Sequence, residues 1–262
     1  MSIDLAAEGR VVAALGRRAL RGQFRRAQLL MPTFVLPLML LAVIASGTSA
    51  AQGLPQFPDV RSYLTFVVPG TIIQGALLAG LTSGTALAAD IEGGFFDRLL
   101  AAPVHRTSLV LGRLCGTLGL ALLQSAFFLL VALAFGARYP GGVGAALATM
   151  GLAAITAVAI GGLATTIAIR TGSLSLMQSV FPFVFVLLFT APAFFARDLL
   201  TPVLRDISAY NPLTYVVEAV RGLLSDSAAL GDAWTGLLAA SGLAVFAVAL
   251  ATLALKDRLR RL

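Results

Sequence analysis

The chain has 262 residues, 58% of them hydrophobic and only 12% charged, with a mean hydropathy of +0.93. A soluble domain carries about 25% charged residues to stay dissolved, so this composition excludes one and leaves lipid as the solvent. The formal net charge of +7 sits in short segments between apolar runs; without a continuous basic stripe or interleaved aromatics, it excludes nucleic acid and fits a membrane surface.

Residues 1–28 read as a cytoplasmic interfacial helix. At 100° per residue from Val11, Arg10, Arg17, Arg18, Arg21 and Arg25 fall between about 240° and 340°, and Val12, Leu15, Ala19 and Leu20 between about 40° and 180°. Arg26 departs from the pattern. A basic face opposite an apolar one describes a helix in the headgroup layer, serving as a topology anchor or as a mechanical part.

Apolar runs follow at Leu29–Thr48, Tyr63–Ala89, Thr107–Phe135, Val143–Ile169, Leu174–Ala196 and Ala233–Leu255. Each approaches or exceeds the roughly 20 residues that cross about 30 Å of hydrocarbon at 1.5 Å per residue. The expected fold is therefore an all-α integral membrane protein with six transmembrane helices. It forms a single domain, one compact helical unit, with the helical region at 29–255 and a cytoplasmic tail at 256–262. Pro32, Pro37, Pro69, Pro182 and Pro192 lie in or at the ends of these runs, where neighbouring helices can satisfy the freed backbone groups.

With the N-terminus inside, 14 of the 19 lysines and arginines fall on the cytoplasmic side, in the leading helix, around Arg98, Arg106 and Arg113, at Arg170, and in the tail from Lys256 to Arg261. The outer segments hold Arg61, Arg138, Arg197, Arg205 and Arg221. This excess predicts both termini in the cytoplasm. Thr48-Ser49-Ala50 offers the small residues of a signal-peptide cleavage site, but the preceding apolar run is too long and begins too late for one.

The cytoplasmic turn after the second run reads Asp90-Ile91-Glu92-Gly93-Gly94-Phe95-Phe96-Asp97-Arg98-Leu99-Leu100-Ala101-Ala102-Pro103. Phe95, Phe96, Leu99 and Leu100 share one face of a short helix, and Pro103 stops it. Such a face is buried against the chain's own helices, in the membrane interface, or in a partner. Outside, between the fifth and sixth runs, Asn211-Pro212 reads as an N-cap followed by proline at the first helical position. Leu213, Val216, Val217, Val220 and Leu224 then keep helical spacing, with Thr214, Glu218, Arg221 and Ser225 opposite and Glu218 and Arg221 spaced as an i,i+3 pair. This amphipathic helix is expected to dip into the outer leaflet, as a plug or as a substrate gate.

These segments together resemble the permease subunits of the ATP-binding-cassette type-2 exporter family, particularly its daunorubicin-resistance-like branch. The resemblance is sharpest at Glu92–Val104 and Ala209–Leu224 and spans nearly the whole chain. It implies that the turn is a coupling helix docked in a separate ATPase subunit, beside the N-terminal interfacial helix. Phe95, Phe96, Leu99 and Leu100 would form its contact surface, framed by Glu92, Asp97 and Arg98. It further implies an outer re-entrant helix pair capping the translocation path, carrying Asn211, Pro212, Glu218 and Arg221. The path would need a second permease chain, identical or homologous, with ATP and Mg in the partner ATPase and no cofactor in this chain.

Other classes fit less well. A phosphate-binding loop of the form Gly-x-x-x-x-Gly-Lys-Ser/Thr needs a lysine, and Lys256, after Ala254-Leu255, is the only one. A secondary carrier or channel without an ATPase is the main alternative; ion-coupled carriers place ionisable groups inside the membrane, whereas Gln74, Gln124 and Gln178 stand out as the polar residues here, serving as helix–helix glue or in function. An enzyme would need a site, and His105 is a lone histidine without acids or thiols clustered around it in sequence. Cys115 is the single cysteine, so no disulfide framework forms within the chain. Glycines at 70, 80, 84, 112, 116 and 119 allow close helix approach, within the chain or across a dimer.

Overall fold

A backbone in hydrocarbon must satisfy its own N–H and C=O groups, and an α-helix does so within one segment. The computed structural model describes residues 5–25, 27–47, 63–100, 106–225 and 230–260, and among these no strand occurs. Arg26, Thr48-Ser49-Ala50, Arg61, Pro103 and His105 lie outside the described residues. In chain order the helices are α1 (Leu5–Arg25), α2 (Ala27–Gly47), α3 (Tyr63–Glu92), α4 (Phe95–Leu100), α5 (Arg106–Ala134), α6 (Gly142–Thr171), α7 (Leu174–Ser179), α8 (Phe181–Phe189), α9 (Pro202–Tyr210), α10 (Pro212–Leu224) and α11 (Leu230–Leu259). A 3-10 turn at Arg197–Leu199 precedes α9.

Among the described residues, four helices, α3, α5, α6 and α11, are each long and apolar enough to cross a membrane, and α1 and α2 reach that length only as a bent pair. α3 is the axis, almost wholly buried against α6, α5 and α2. α5 and α11 instead turn large apolar side chains outward, among them Leu123, Leu130 and Leu133 on one and Leu238, Val245 and Phe246 on the other. Helices that are apolar all round suit a lipid surround.

Small residues set the helix spacing within the chain. A Cβ on Gly80 would lie 2.8 Å from the Gly161 backbone nitrogen, so α3 and α6 touch backbone to backbone. Gly112 and Gly116 of α5 instead make room for the Leu15 and Ala19 side chains of α1, whose Cβ atoms lie 2.5 and 2.7 Å from where a glycine Cβ would stand. The apolar stripe of α1 is thus spent on α5, while Arg10, Arg17, Arg18, Arg21 and Arg25 remain exposed. α2, a 21-residue helix running through Pro32 and Pro37, leaves α1 at a bend of 71°.

The antiparallel helices define two ends. Gly94 (φ +66) and Gly172 (φ +62) close α3 and α6 at one of them, using the left-handed conformation that glycine adopts without a Cβ penalty. That basic end also holds α4, the start of α7 and the end of α11; α9 and α10 occupy the other.

The fifth apolar run departs from one continuous helix. It is divided into α7 and α8, which meet at Val180, and α8 stops at Phe189 before Thr190-Ala191-Pro192. Proline explains both events: Pro182 has no N–H to continue the ladder from α7, and Pro192 blocks extension of α8. Gln124 links α5 to α2, its Nε2 donating to Thr33 Oγ1 at 2.7 Å. Gln74 is buried on α3 and neither of its amide atoms has a hydrogen-bond partner among the described residues, while Gln178 is exposed on α7.

Candidate functional site

α4 starts directly after the Gly93-Gly94 break, so it leaves the end of α3 as a separate short helix. Its four apolar residues do not share one environment. Phe96 is 4% exposed and belongs to the core. Phe95 is half-buried beneath Arg18 of α1, whose Cζ lies 3.9 Å from the ring centroid, a cation–π geometry. Leu99 and Leu100 are half-buried, and Glu92, Asp97 and Arg98 are exposed. The outward surface of this segment is therefore mainly charged, and its inward surface is apolar.

Long-range contacts hold it in place. Glu92 Oε1 accepts from the Leu174 N–H at 2.7 Å, tying the end of α3 to the start of α7. Arg258 Nη2 lies 3.7 Å from Asp97 Oδ1, and Arg258 Nη1 donates to Ile169 O at 3.1 Å. At the same end, Arg113 Nη2 donates to Asp90 Oδ2 at 2.5 Å, joining α5 to α3. Sequence reasoning assigned no such partners to Arg18, Arg258, Asp90 or Arg113. Each lies at least 23 residues from its partner, and no local spacing reports a contact of that kind. The result is a short helix held by Arg18 on one side and Arg258 on another, next to an α3 end that is itself tied to α5 and α7.

At the opposite end, Asn211 caps α10 as its sequence predicts: its Oδ1 accepts from the Leu213 N–H at 2.9 Å, with Pro212 at the first helical position. Its Nδ2 also donates to Leu187 O at 2.7 Å and to Thr190 Oγ1 at 3.0 Å, reaching α8. Arg221 Nη2 donates to Pro192 O at 2.7 Å, and its Cζ stands 4.1 Å from the Phe66 ring centroid. Glu218 is half-buried one turn earlier. Leu213, Val216, Val217, Val220 and Leu224 are all buried, so α10 packs on α11, α6 and α3. Thr214 joins them inside, donating to Ser208 O at 2.7 Å, whereas its spacing placed it on the polar side. Nearby, burial pushes the Tyr139 phenol up, so it stays protonated and donates to Leu129 O.

The sequence profile of a family described as ABC-2 type transporter matches residues 10–224, which include α4, α9, α10 and most of α1. Individual relatives agree. A protein named as transport permease ycf38 from Porphyra purpurea is 28% identical over 222 residues, covering 82% of this chain and 74% of that protein. Its namesake from Pyropia yezoensis is 29% identical over 226 residues, with the same coverages. The daunorubicin resistance ABC transporter permease protein DrrB1 of Streptomyces coeruleorubidus is 28% identical over 196 residues, covering 72% of this chain and 68% of that protein. With helices fit to cross a membrane and a family match over most of its length, this chain belongs to the ABC-2 type transporter family as a multi-pass transport permease.

Proposed function

We propose that the chain is the permease subunit of an ATP-driven exporter of hydrophobic or amphipathic compounds or lipids, working as a dimer with separate ATP-binding-cassette ATPase subunits. The observation that carries this reading is the charged surface at the basic end, where Glu92 at the end of α3 and Asp97 and Arg98 on α4 are all exposed, with Asp97 beside Arg258 and Glu92 bonded to Leu174. On this reading an ATPase docks there, with Phe95 and Leu99 at the edge of the contact and Phe96 and Leu100 anchoring the helix from within. ATP and Mg belong to the ATPase, and its turnover moves α4. Glu92 passes that motion to α7, and Arg258 passes it to α6 and α11. A path between two permease chains, identical or homologous, then changes the side to which it opens.

The proposed topology has six crossings: α2, α3, α5, α6, the α7–α8 segment and α11. The broken segment supports a crossing because Leu174 is bonded to Glu92 at one end of the bundle, and Pro192 to Arg221 at the other. On this reading the chain lies in the plasma membrane of a bacterial cell, and the excess of arginines at the basic end supports a cytoplasmic position for that end and for both termini. α9 and α10 then form the outer cap, and residues 1–28, 29–255 and 256–262 act as interfacial helix, membrane region and tail of one domain.

Co-purification from detergent-solubilised membranes tests this, comparing the native chain with Arg98→Glu. An ATPase that accompanies the native chain and is lost from an inserted, folded variant is the expected result. An ATPase found with neither overturns the reading in favour of a secondary carrier or channel.

A further inference from the structure

A cavity of about 620 Å³ lies at the basic end between α1, α3, α4 and α5. α1 forms one wall and lines it with Arg17, Arg18, Arg21 and Arg25; Asp90 and Arg113 line the side opposite. The Asp90 carboxylate is held by Arg113 at 2.5 Å, leaving the wall of α1 strongly cationic. Gln23, also lining the cavity, is 7% exposed, and its Oε1 has no hydrogen-bond partner among the described residues. A buried acceptor of this kind is normally satisfied.

Beside this cavity runs a groove of about 980 Å³ between α2, α3, α7 and α8, lined by Leu36, Leu78, Leu81, Met177 and Phe181 with a few threonines. Arg25 and Thr82 line both spaces, so the cationic cavity adjoins the apolar groove directly. Each volume is within the range of small-molecule sites, about 300–1,000 Å³. Guanidinium groups match phosphate oxygens in bidentate geometry, and an apolar groove suits a hydrocarbon chain.

We propose that the cavity binds the phosphate headgroup of an anionic phospholipid from the adjoining leaflet, with an acyl chain lying along the groove. Arg17, Arg21 and Arg25 receive the phosphate; Arg18 sits over Phe95 at the margin. Gln23 Oε1 accepts from a headgroup hydroxyl, a group that phosphatidylglycerol carries and phosphatidylcholine lacks. The quaternary ammonium of phosphatidylcholine is repelled by the same arginines. The site adds a lipid ligand to the transporter reading but needs no ATPase, so either idea can fail without the other.

The full chain, delipidated in detergent, is titrated with phosphatidylglycerol or phosphatidylcholine, and bound lipid is counted by native mass spectrometry. Phosphatidylglycerol is expected to fill one saturable site roughly tenfold more tightly, about the effect of one strong charge-assisted contact. Combining Arg21→Gln and Arg25→Gln removes the preference without shifting the lipid-free melting point. Arg10→Gln, on the same helix but outside the cavity lining, leaves the preference intact. Equal binding of the two lipids overturns the proposal, as does an equal loss in Arg10→Gln, which would indicate diffuse surface charge. Displacement of the lipid by equimolar inorganic phosphate overturns the lipid assignment in favour of a free-phosphate site. Unchanged affinity for glycerophosphoglycerol, the headgroup without chains, removes the groove and with it the proposal.

Discussion

Arg258, one residue before the end of α11, joins three elements: its guanidinium lies 3.7 Å from the Asp97 carboxylate on α4 and donates to the Ile169 carbonyl on α6 at 3.1 Å. The Asp97 side chain is 54% exposed, so the ion pair alone contributes under about 1 kcal/mol. The bond to the helix-end carbonyl, backed by Phe96 below the guanidinium, contributes more. Arg258→Gln should loosen α4 and speed tryptic cleavage after Arg98 by roughly five-fold, the factor for about 1 kcal/mol of local opening. Asp97→Asn should change the rate far less. Equal acceleration in the two variants would show that the ion pair, rather than the carbonyl bond, holds the helix.

Arg221 fills the corresponding role at the other end. α8 terminates before Pro192, and in the non-helical stretch beyond it Arg221 donates to the carbonyls of Pro192 and Ala193 at 2.7 and 3.3 Å. Arg221→Met removes a charged donor from the carbonyls of two buried residues and should cost about 1.5–3 kcal/mol, seen as a lower melting temperature in detergent. Arg221→Lys should recover only part of it, because an ammonium lacks the planar fork that also stacks on Phe66. Full recovery would assign the effect to charge alone.

Asn211 separates two tasks within one side chain. Its carbonyl oxygen caps α10, while its amide reaches Leu187 and Thr190. Asn211→Asp retains the cap and loses the donors; Asn211→Ala loses both, with about 1 kcal/mol attributable to the cap alone. Both variants should melt below the native protein, because Asp sets a carboxylate against the Leu187 carbonyl. Hydrogen exchange should tell them apart: protection of the first turn of α10 is expected to persist in Asn211→Asp and to fall in Asn211→Ala.

Gly80→Ala tests the contact of α3 with α6. Its Cβ would meet the Gly161 nitrogen and Ile160 Cβ at 2.8 Å and the Ala157 carbonyl at 2.9 Å, two of which are backbone atoms that cannot rotate away. Overpacking of this kind costs about 1–3 kcal/mol. Gly151→Ala on α6 meets nothing within 4 Å and should be neutral or stabilising by up to about 1 kcal/mol through helix propensity. Comparing the two melting temperatures separates close packing from the general effect of a glycine in a helix.

Much of the molecule is legible locally. The long apolar runs, the break at Gly93-Gly94 and the start of α10 at Asn211-Pro212 all follow from backbone chemistry that operates within a turn or two. Pro182 and Pro192 were equally visible, but their consequence was not. Proline in a membrane helix is tolerated or disruptive according to what its neighbours supply: α2 continues through Pro32 and Pro37, whereas the fifth run breaks.

Orientation was the part left to tertiary structure. In water, an apolar side chain on a helix marks the buried side. In lipid the surroundings are as apolar as the core, so the pattern does not tell an inward residue from an outward one. The spacing of Phe95 and Phe96 therefore placed both on α4 without saying that one joins the core while the other lies beneath Arg18. Arg258 and Arg221 likewise met carbonyls 89 and 29 residues away only because packed helices brought those helix ends within reach. Sequence by itself determined where the long apolar helices lie and which end of the bundle is basic; tertiary packing decided where the fifth run breaks and which side chains face one another, because both depend on contacts between segments distant in the chain.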